Sequence, residues 1–322
     1  MNHLISHVRS PGRCVALETT LLAHGVPAGK GGAGSVALAR RLAEWVTGAG
    51  GIGLRPDAPV GGPRSAPGRA MPPCRAEAAI VGVLGGRGII GMTEPELGKL
   101  LAGPDVPKLN SANLGVALRR GLSGATTISA TMELAAARGV SLLATGGLGG
   151  VHPGLAERVD ISGDLAALAR FPVAVVCSGV KSLLDVNSTR EMLEALGVPV
   201  IGFGASRMPA FYLAESEAEV DAVFEDEAEL LDFIDFELAR TGRGIVIAQR
   251  APSPIDPARW TTWLAEAQDR AQRAGARGRA VTPHVLGALH DVSGGETLRV
   301  NLELVEANCA LAGRLAGRRA QR

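Results

Sequence analysis

A lysine stands at the end of one of the most apolar stretches in the sequence. The segment "VAVVCSG", residues 173–179, has the pattern of a buried strand, and Lys181 follows it after only Val180. Burial could make that amine neutral, because desolvation lowers the pKa of a lysine from about 10.4 to roughly 7–8. A neutral amine can attack an aldehyde and form a Schiff base. The alternative is a lysine at a helix start whose ammonium group reaches water.

A glutamate interrupts the first apolar run. Glu18 lies inside "VALETTLLA", residues 15–23, where an ionised carboxylate without partners would be costly. Burial would raise the pKa of Glu18 and make it a candidate for general acid or base chemistry near neutral pH. The alternative is a strand whose alternation directs this glutamate outward, into water.

A glycine-rich segment follows another apolar run. The segment "ATGGLGGVHPG", residues 144–154, contains Thr145 and His152, and its flexible backbone amides could bind a phosphate or surround a sugar. In the following "VDISGDL", Asp160 and Asp164 are four residues apart. On one helix their carboxylates would share a face and could bind Mg²⁺ or Mn²⁺; the alternative is that they cap a helix.

Three further polar residues are candidates for ligand contacts. Lys108, in "VPKLNSANL", could neutralise a phosphate as a point charge, although a solvated lysine is the common alternative. Asn301, in "LRVNLELV", lies in a predicted helix, where its amide could recognise a carbonyl and an N–H group together. His24 follows the first predicted strand and could neighbour His152, but no third ligand has the spacing of a zinc site.

Strand-length apolar runs alternate with segments of helical period along the chain. This pattern predicts an α/β protein with a mostly parallel sheet and covering helices, in a single domain. The runs "VSLLATGG", "VAVVCSG" and "VPVIGFG" each end in glycine and predict parallel strands. Ligands bind at the carboxyl ends of such strands, so the candidate residues should gather there. Thr93 and Glu96 predict a capping box at the start of one helix.

A Gly- and Pro-rich stretch breaks this pattern. Residues 48–75 contain little that could be buried, so they predict a mobile surface insertion rather than a phosphate-binding loop.

Composition limits the classes of partner and the compartment. Lys and Arg number 33 against 32 Asp and Glu, so the net charge of +1 favours neither nucleic acid nor an anionic membrane. The apolar runs are well below the ~20 residues of a membrane span, and the N-terminus lacks the pattern of a signal peptide. We therefore expect a cytoplasmic protein that binds a small molecule. Four cysteines without a C-x-x-C pair favour free thiols over disulfides: Cys14, Cys74, Cys177 and Cys309.

Several segments in a fixed order resemble the pseudouridine-5′-phosphate glycosidase family. They are "VALETTLLAHGVP", "KLNSANL", "GATTISATM", "ATGGLGGVH", "DISGDL", "VVCSGVKSLLD" and "TPHVLGALHDVSGGETLRVNLELVEANCALA". The resemblance runs from about residue 14 to residue 315, so it predicts one domain over 14–315 with short tails at 1–13 and 316–322. It implies a three-layer α/β/α fold, a homotrimer and a Mn²⁺ ion. The implied reaction is the reversible cleavage of the C–C glycosidic bond of pseudouridine 5′-phosphate to uracil and ribose 5-phosphate.

The resemblance also implies roles for individual residues. Lys181 matches the nucleophile, which forms an imine at C1′ of the ring-opened ribose and gives the C–C bond an electron sink. Glu18 matches the proton donor, and Asp160 matches the Mn²⁺ ligand. The remaining matches are to substrate-binding positions, namely Lys108, Ile128 through its backbone, Ser162, Gly163, Asp164, which could also assist proton transfer, and, for uracil, Asn301.

The sequence departs from the family pattern at several points. Pro153 stands where the family usually has Arg, and Ala307 replaces the first of two adjacent asparagines. The insertion at 48–75 has no common counterpart. Two alternative functions stay open: a Schiff-base aldolase acting on another sugar phosphate, and a catalytically weak sensor of sugar phosphates or nucleotides.

Overall fold

A computed structural model of the chain describes most of its residues. They are residues 4–6, 11–25, 33–48, 76–103, 106–156, 158–275 and 281–322. The predicted insertion at 48–75 lies outside these ranges except for Gly48, and Cys74 lies outside them as well.

The short apolar runs form the strands of one sheet. The strands are β1 Cys14–Glu18, β2 Glu77–Leu84, β3 Arg87–Ile90, β4 Lys108–Leu109, β5 Gly124–Thr126, β6 Leu142–Ala144, β7 Ala174–Cys177, β8 Val200–Phe203, β9 Ala222–Phe224 and β10 Ile245–Ala248. Their order is β4-β5-β2-β1-β6-β7-β10-β8-β9, and β3 pairs with β2. Only the β2–β3 and β2–β5 pairings are antiparallel among the described strands. The prediction of a mostly parallel sheet is confirmed.

The segments of helical period form the helices that cover this sheet. The helices are α1 Ala33–Thr47, α2 Glu94–Leu101, α3 Ser111–Arg120, α4 Ile128–Ala136, α5 Gly163–Leu168, α6 Val186–Ala195, α7 Glu227–Thr241, α8 Pro257–Arg273, α9 Val281–Val292 and α10 Glu296–Arg319. A π-helical turn at Leu21–Gly25 follows β1 closely. None of these described helices has both the length and the apolar composition needed to cross a bilayer.

The alternation of side chains along each strand divides the core into two layers. Leu142 and Ala144 of β6 belong to a cluster with α1, α7, α8, α9 and α10. Leu143, between them, belongs to a second cluster with α3, α4, α5 and α6. Because successive strand residues point to opposite faces, both faces of the sheet are covered by helices. The three-layer α/β/α fold that the resemblance implies is confirmed.

The last helix contains more buried residues than any other described helix and reaches further than the predicted domain. Helix α10 continues to Arg319, beyond residue 315, because its buried stripe includes Leu315 and Ala316. The Arg319 guanidinium donates to Ser141 Oγ at 2.7 Å and pairs with Asp235. The residues predicted as a C-terminal tail therefore begin inside a packed helix.

The described cysteines agree with the prediction of free thiols. Cys14, Cys177 and Cys309 are buried and unbridged. Burial raises the pKa of the Cys14 thiol to about 11 and that of Cys177 to about 12, so both are protonated at neutral pH.

The capping box of α2 gives the first testable prediction. Glu96 Oε2 accepts from the Thr93 N–H at 2.8 Å, and Thr93 Oγ1 accepts from the Glu96 N–H. Thr93→Ala removes the second bond and should lower the free energy of unfolding by about 1 kcal/mol in a urea titration. Thr261→Ala, in the exposed middle of α8, is the control and should change stability by less than ~0.5 kcal/mol. Equal effects of the two substitutions would contradict the capping role.

Candidate active site

Three neighbouring strands end at the place where the sequence predicts the site. Glu18 is the last residue of β1, Thr145 follows β6 directly, and Lys181 follows β7 after three residues. Strand β6 pairs in parallel with both β1 and β7, so the three carboxyl ends lie side by side. The sheet edge expected to bind ligands thus carries the predicted proton donor and the predicted nucleophile.

Glu18 is a buried ionisable group at the centre of this site. Its side chain is 6% exposed, Thr145 Oγ1 donates to Oε1 at 2.5 Å, and Thr20 Oγ1 donates to Oε2. Burial raises the pKa of Glu18, while the Lys181 ammonium and the two hydroxyls act in the opposite direction. Because β1 is central and buried at every position, the alternative of an outward-facing Glu18 is wrong. A carboxyl group with a raised pKa can give and take a proton near neutral pH.

Threonine hydroxyls hold the chain around Glu18 in place. Thr19 Oγ1 and Thr126 Oγ1 both donate to the Val81 carbonyl, at 2.9 and 2.7 Å. Thr19 Oγ1 also accepts from the Thr126 backbone N–H at 2.8 Å. These bonds connect the end of β1 to β2 and β5, so the position of Glu18 is tied to three strands. Sequence analysis did not single out these hydroxyls; the repeated Thr pairs after apolar runs are the signal.

The Lys181 segment is tied to the glycine-rich segment but its side chain is exposed. The Lys181 N–H donates to the Leu148 carbonyl at 3.1 Å, and the Leu148 N–H donates to the Gly179 carbonyl at 2.8 Å. The chain then leaves the sheet in a turn, and the Lys181 side chain is exposed in the single chain. The expected burial of the amine is therefore wrong for this chain taken alone.

A second segment, residues 210–212, forms hydrogen bonds with the backbone on both sides of Lys181. Phe211 has a φ of 60°, a conformation that is strained for a residue with a side chain, and its N–H donates to the Ser178 carbonyl at 2.8 Å. Ser182 Oγ donates to the Ala210 carbonyl at 2.5 Å and accepts from the Tyr212 N–H at 3.0 Å. The residues before and after Lys181 are therefore both bound to one turn.

The glycine-rich segment packs against the residues predicted to contact substrate. Asp164 accepts from the Gly149 N–H at 3.0 Å and from the Ser129 N–H, in the first turn of α4, at 3.1 Å. A Cβ at Gly149 would overlap Ser162 Oγ. Asp164 thus caps α4 from another element, which agrees with the capping alternative. Ser162 and Asp164 are therefore neighbours of the glycine-rich segment, and Asp164 connects this segment to Ser129, which follows Ile128 in α4.

Lys108 adds a second cation near the site. It lies on β4, at the register position of Ala125 on β5. Burial of its amine and the charge of Lys181 both lower the pKa of Lys108, whereas Glu18 acts in the opposite direction. Lys108 therefore lies within electrostatic reach of both catalytic candidates, as expected for a residue that neutralises a phosphate.

His24 belongs to the same neighbourhood as Lys108. Its Nε2 is 3.0 Å from the Val106 carbonyl oxygen, and burial together with Lys108 lowers its pKa. His24 is therefore neutral at physiological pH.

The predicted metal ligand is a single exposed carboxylate. Asp160 lies 3.9 Å from the guanidinium of Arg158, and its backbone carbonyl accepts from the His152 N–H at 2.9 Å. Asp160 and Asp164 do not share a helix, because α5 begins at Gly163. Within the described ranges there is no group of three or more His, Cys, Asp and Glu side chains that could hold an ion. Asp160 could supply one oxygen ligand of a Mn²⁺ ion, with water or substrate oxygens as the others, and metal binding stays a prediction.

Two asparagines of α10 lie on the side of the sheet that this helix covers. Asn301 is buried one helical turn before Leu304, whose side chain lies next to Gly146. Asn308 is fully buried and hydrogen-bonded to the residues that follow β6, β7 and β10. Sequence analysis assigned no role to Asn308, although it stands at the second of the two adjacent asparagine positions of the family pattern.

The burial of Glu18 leads to a prediction about stability and pH. A carboxyl group with a raised pKa in the folded state stabilises fully only below its pKa in the unfolded chain, about 4.3, and that contribution is lost as the pH rises. Glu18→Gln should therefore have a higher free energy of unfolding than the wild type at pH 8 in urea titrations. The difference between the two proteins should be smaller at pH 5. Glu191→Gln, on the exposed face of α6, is the control. A gain independent of pH would contradict a raised pKa of Glu18.

Comparisons with known proteins agree with this geometry. The family model described as indigoidine synthase A like protein matches residues 73–318. A pseudouridine-5′-phosphate glycosidase of Caldanaerobacter subterraneus subsp. tengcongensis is 38% identical over 306 residues, which cover 94% of this chain and 90% of that protein. A protein of the same name from Streptomyces griseus is 39% identical over 306 residues, which cover 94% of this chain and 86% of that protein.

Solved structures share the complete fold. An indigoidine synthase A-like protein of Thermotoga maritima superposes with a TM-score of 0.80 at 29% identity, covering 99% of this chain and 97% of that one. A prealnumycin C-glycosynthase in complex with ribulose 5-phosphate superposes with a TM-score of 0.79 at 26% identity, covering 99% of each chain. Because the match extends over most of the sequence and all of the fold, the chain belongs to the indigoidine synthase A-like family, among whose members are proteins named pseudouridine-5′-phosphate glycosidase.

Proposed function

We propose that this protein reversibly cleaves pseudouridine 5′-phosphate at its C–C glycosidic bond, which yields uracil and ribose 5-phosphate. The observation that carries the proposal is the meeting of a buried carboxyl group, Glu18, with the amine of Lys181 at one sheet edge. A proton donor and an amine nucleophile are the two groups that this reaction requires.

The substrate class is supported by local charge and by the relatives. The chain has a net charge of only +1, yet Lys108 and Lys181 lie within electrostatic reach of each other, so two cations are available at this edge to bind a phosphate. The relatives are named for a nucleotide with a phosphorylated ribose, and a related C-glycosynthase was solved with ribulose 5-phosphate. A phosphorylated pentose is therefore the ligand that we assign to the site.

The reaction proceeds through an imine in this proposal. In the direction of synthesis, the amine of Lys181 attacks C1′ of open-chain ribose 5-phosphate, and one water leaves as the imine forms. The protonated imine draws electrons to C1′, so C5 of uracil adds there and the C–C bond forms. The proton on C5 then leaves to a base, and the 4′-hydroxyl displaces the amine and closes the ribose ring. Cleavage is the same sequence in reverse.

Glu18 is the proton carrier in this proposed reaction. Its carboxylate takes the C5 proton during synthesis, and its acid form returns that proton to the departing carbon during cleavage. The raised pKa of Glu18 supports the role of proton donor, because burial favours the acid form of the carboxyl group. The charge of Asp164 also acts on Glu18, and this second carboxylate is an alternative proton acceptor.

Because Lys181 is exposed, we assign to the bound substrate the role of shielding its amine from water. The amine is exposed in the single chain, so the desolvation that frees it from its proton comes, in this proposal, from the bound sugar phosphate covering it. The hydrogen bonds between Ser182 and residues 210–212 support this assignment. They fix the backbone next to Lys181, so a bound substrate has to cover only the lysine side chain.

Several properties implied by the family resemblance remain proposals. Mn²⁺ held by Asp160 would supply positive charge next to oxygen atoms of the substrate. Asn301, buried on α10, would recognise uracil. We also infer a homotrimer and a cytoplasmic location, as expected for an enzyme of nucleotide metabolism.

Chemical trapping of the imine tests the nucleophile. Incubation with ribose 5-phosphate and borohydride should add a reduced pentose phosphate to the peptide that contains Lys181, detected by mass spectrometry. The chain has only four lysines, at positions 30, 99, 108 and 181, so the modified residue is readily assigned. Lys181→Ala should lose the adduct, and Lys99→Ala, at an exposed position of α2, should keep it.

The outcomes of trapping separate the three candidate functions. An adduct together with formation of a C-nucleotide on addition of uracil supports the glycosidase. An adduct without any C-nucleotide favours an aldolase, and no adduct at all favours a sensor.

The rates of two variants test the division of roles. Lys181→Ala should lose turnover and the adduct together. Glu18→Gln should keep the adduct but slow turnover by about 10²–10⁴-fold, since general acid–base catalysis has this magnitude. Circular dichroism shows whether each variant is folded. Unchanged turnover in Glu18→Gln would indicate that Asp164, and not Glu18, transfers the proton.

A further inference from the structure

Asn308 is a buried amide among apolar side chains of α10. Its side chain is 0% exposed, and Val305, Leu311 and Ala312 around it are buried as well. An amide at such a position is costly unless its N–H and C=O groups are hydrogen-bonded. The hydrogen bonds of Asn308 therefore indicate why an amide is present.

Every contact of this amide is with a residue that follows a strand. Asn308 Nδ2 donates to the Thr145 carbonyl at 2.8 Å, to Ser178 Oγ at 3.2 Å and to the Gly146 carbonyl at 3.4 Å. Asn308 Oδ1 accepts from Gln249 Nε2 at 2.7 Å and from Ser178 Oγ at 3.5 Å. These partners follow β6, β7 and β10, which are adjacent in the sheet.

The same three strand ends are also bound to one another. The Thr145 N–H donates to the Val176 carbonyl at 3.0 Å, and the Ser178 N–H donates to the Gly146 carbonyl at 2.8 Å. The Thr145 peptide is thus held on one side by the ladder of β7 and on the other by Asn308. Its side chain then has a defined direction, and Thr145 Oγ1 donates to Glu18 Oε1 at 2.5 Å.

We propose that Asn308 is a positioning residue that fixes the ends of β6, β7 and β10 and thereby holds the Thr145 hydroxyl against Glu18. Asn308 does not touch Glu18 itself; it acts through the backbone of Thr145. Only the expected effect on turnover rests on the proposed function, because the effect on Glu18 can be measured without any reaction.

The Thr145 hydroxyl stabilises the ionised form of Glu18, so its displacement should raise the pKa of that carboxyl group further. The charged groups that act on Glu18 from other elements are Lys181, Lys108 and Asp164. Asn308 is uncharged, and its replacement by another uncharged residue leaves these charges unchanged. A shift in the pKa of Glu18 would therefore report on the position of the hydroxyl.

The test is a double-mutant cycle read by the titration of Glu18. Infrared spectra of protein labelled with ¹³C at the glutamate carboxyl groups give the pKa, and the band of Glu18 is assigned by its loss in Glu18→Gln. Asn308→Ala and Thr145→Val should each raise the pKa of Glu18, and the double variant should match Thr145→Val alone. No shift in Asn308→Ala, or additive shifts in the double variant, would overturn the proposal.

Two further variants separate positioning from a general loss of packing. Leu311→Ala, equally buried on the same helix, should lower stability and leave the pKa of Glu18 unchanged. Asn308→Ser keeps a small polar side chain but cannot span the strand ends, and it replaces Asn308→Ala if that variant is not folded. A shift in Leu311→Ala as large as in the Asn308 variant would also contradict the proposal.

Turnover provides a second readout. Asn308→Ala should lower kcat by about ten- to a hundredfold, because a misplaced proton carrier slows the chemical step, while KM for ribose 5-phosphate stays nearly constant. If the wild type forms no C-nucleotide, the proposed function fails, and the infrared cycle still decides the role of Asn308.

Discussion

The site depends on keeping the carboxyl group of Glu18 buried at the end of the central strand. An ionised carboxylate at such a position is costly without partners. Here Thr20 and Thr145 donate to its two oxygens, and the charge of Lys181 acts on it from the next segment. Burial nevertheless prevails and leaves the pKa of Glu18 raised. The shift favours the acid form of Glu18 at a higher pH than for an exposed glutamate, as expected for a group that donates a proton.

The last helix connects the stability of the fold with the geometry of this site. Helix α10 covers one face of the sheet, and its apolar side chains belong to the same cluster as Val15, Ala144 and Val176 of the central strands. The same helix carries Asn308, which is 163 residues away from Thr145 in sequence and hydrogen-bonded to its carbonyl. Packing of the helix therefore also aligns the strand ends. A residue without contact to Glu18 can in this way influence its proton affinity.

The use of lysine in this chain is selective. Only four of its 33 basic residues are lysines, and two of them, Lys108 and Lys181, lie within electrostatic reach of each other at the candidate site. The surface ion pairs of the described residues are formed by arginine, for example Arg40 with Glu94 and Arg259 with Glu296. An arginine is always protonated, whereas a lysine can release its proton and become a nucleophile. The choice of residue thus agrees with a chemical role for Lys181 beyond its charge.

Local patterns in the sequence were sufficient to predict a mostly parallel sheet with covering helices and the placement of Thr145 and Lys181 after strands. Glu18 was expected inside the first strand, whereas β1 ends at this residue. An apolar run followed by glycine marks where a strand stops, and parallel strands stop at the same edge. The exposure of Lys181, the capping of α4 by Asp164 and the hydrogen bonds of Asn308 were decided only by the tertiary structure. Each of these depends on segments distant in sequence, whose relative placement is set by packing of the core and not by the period of any single element.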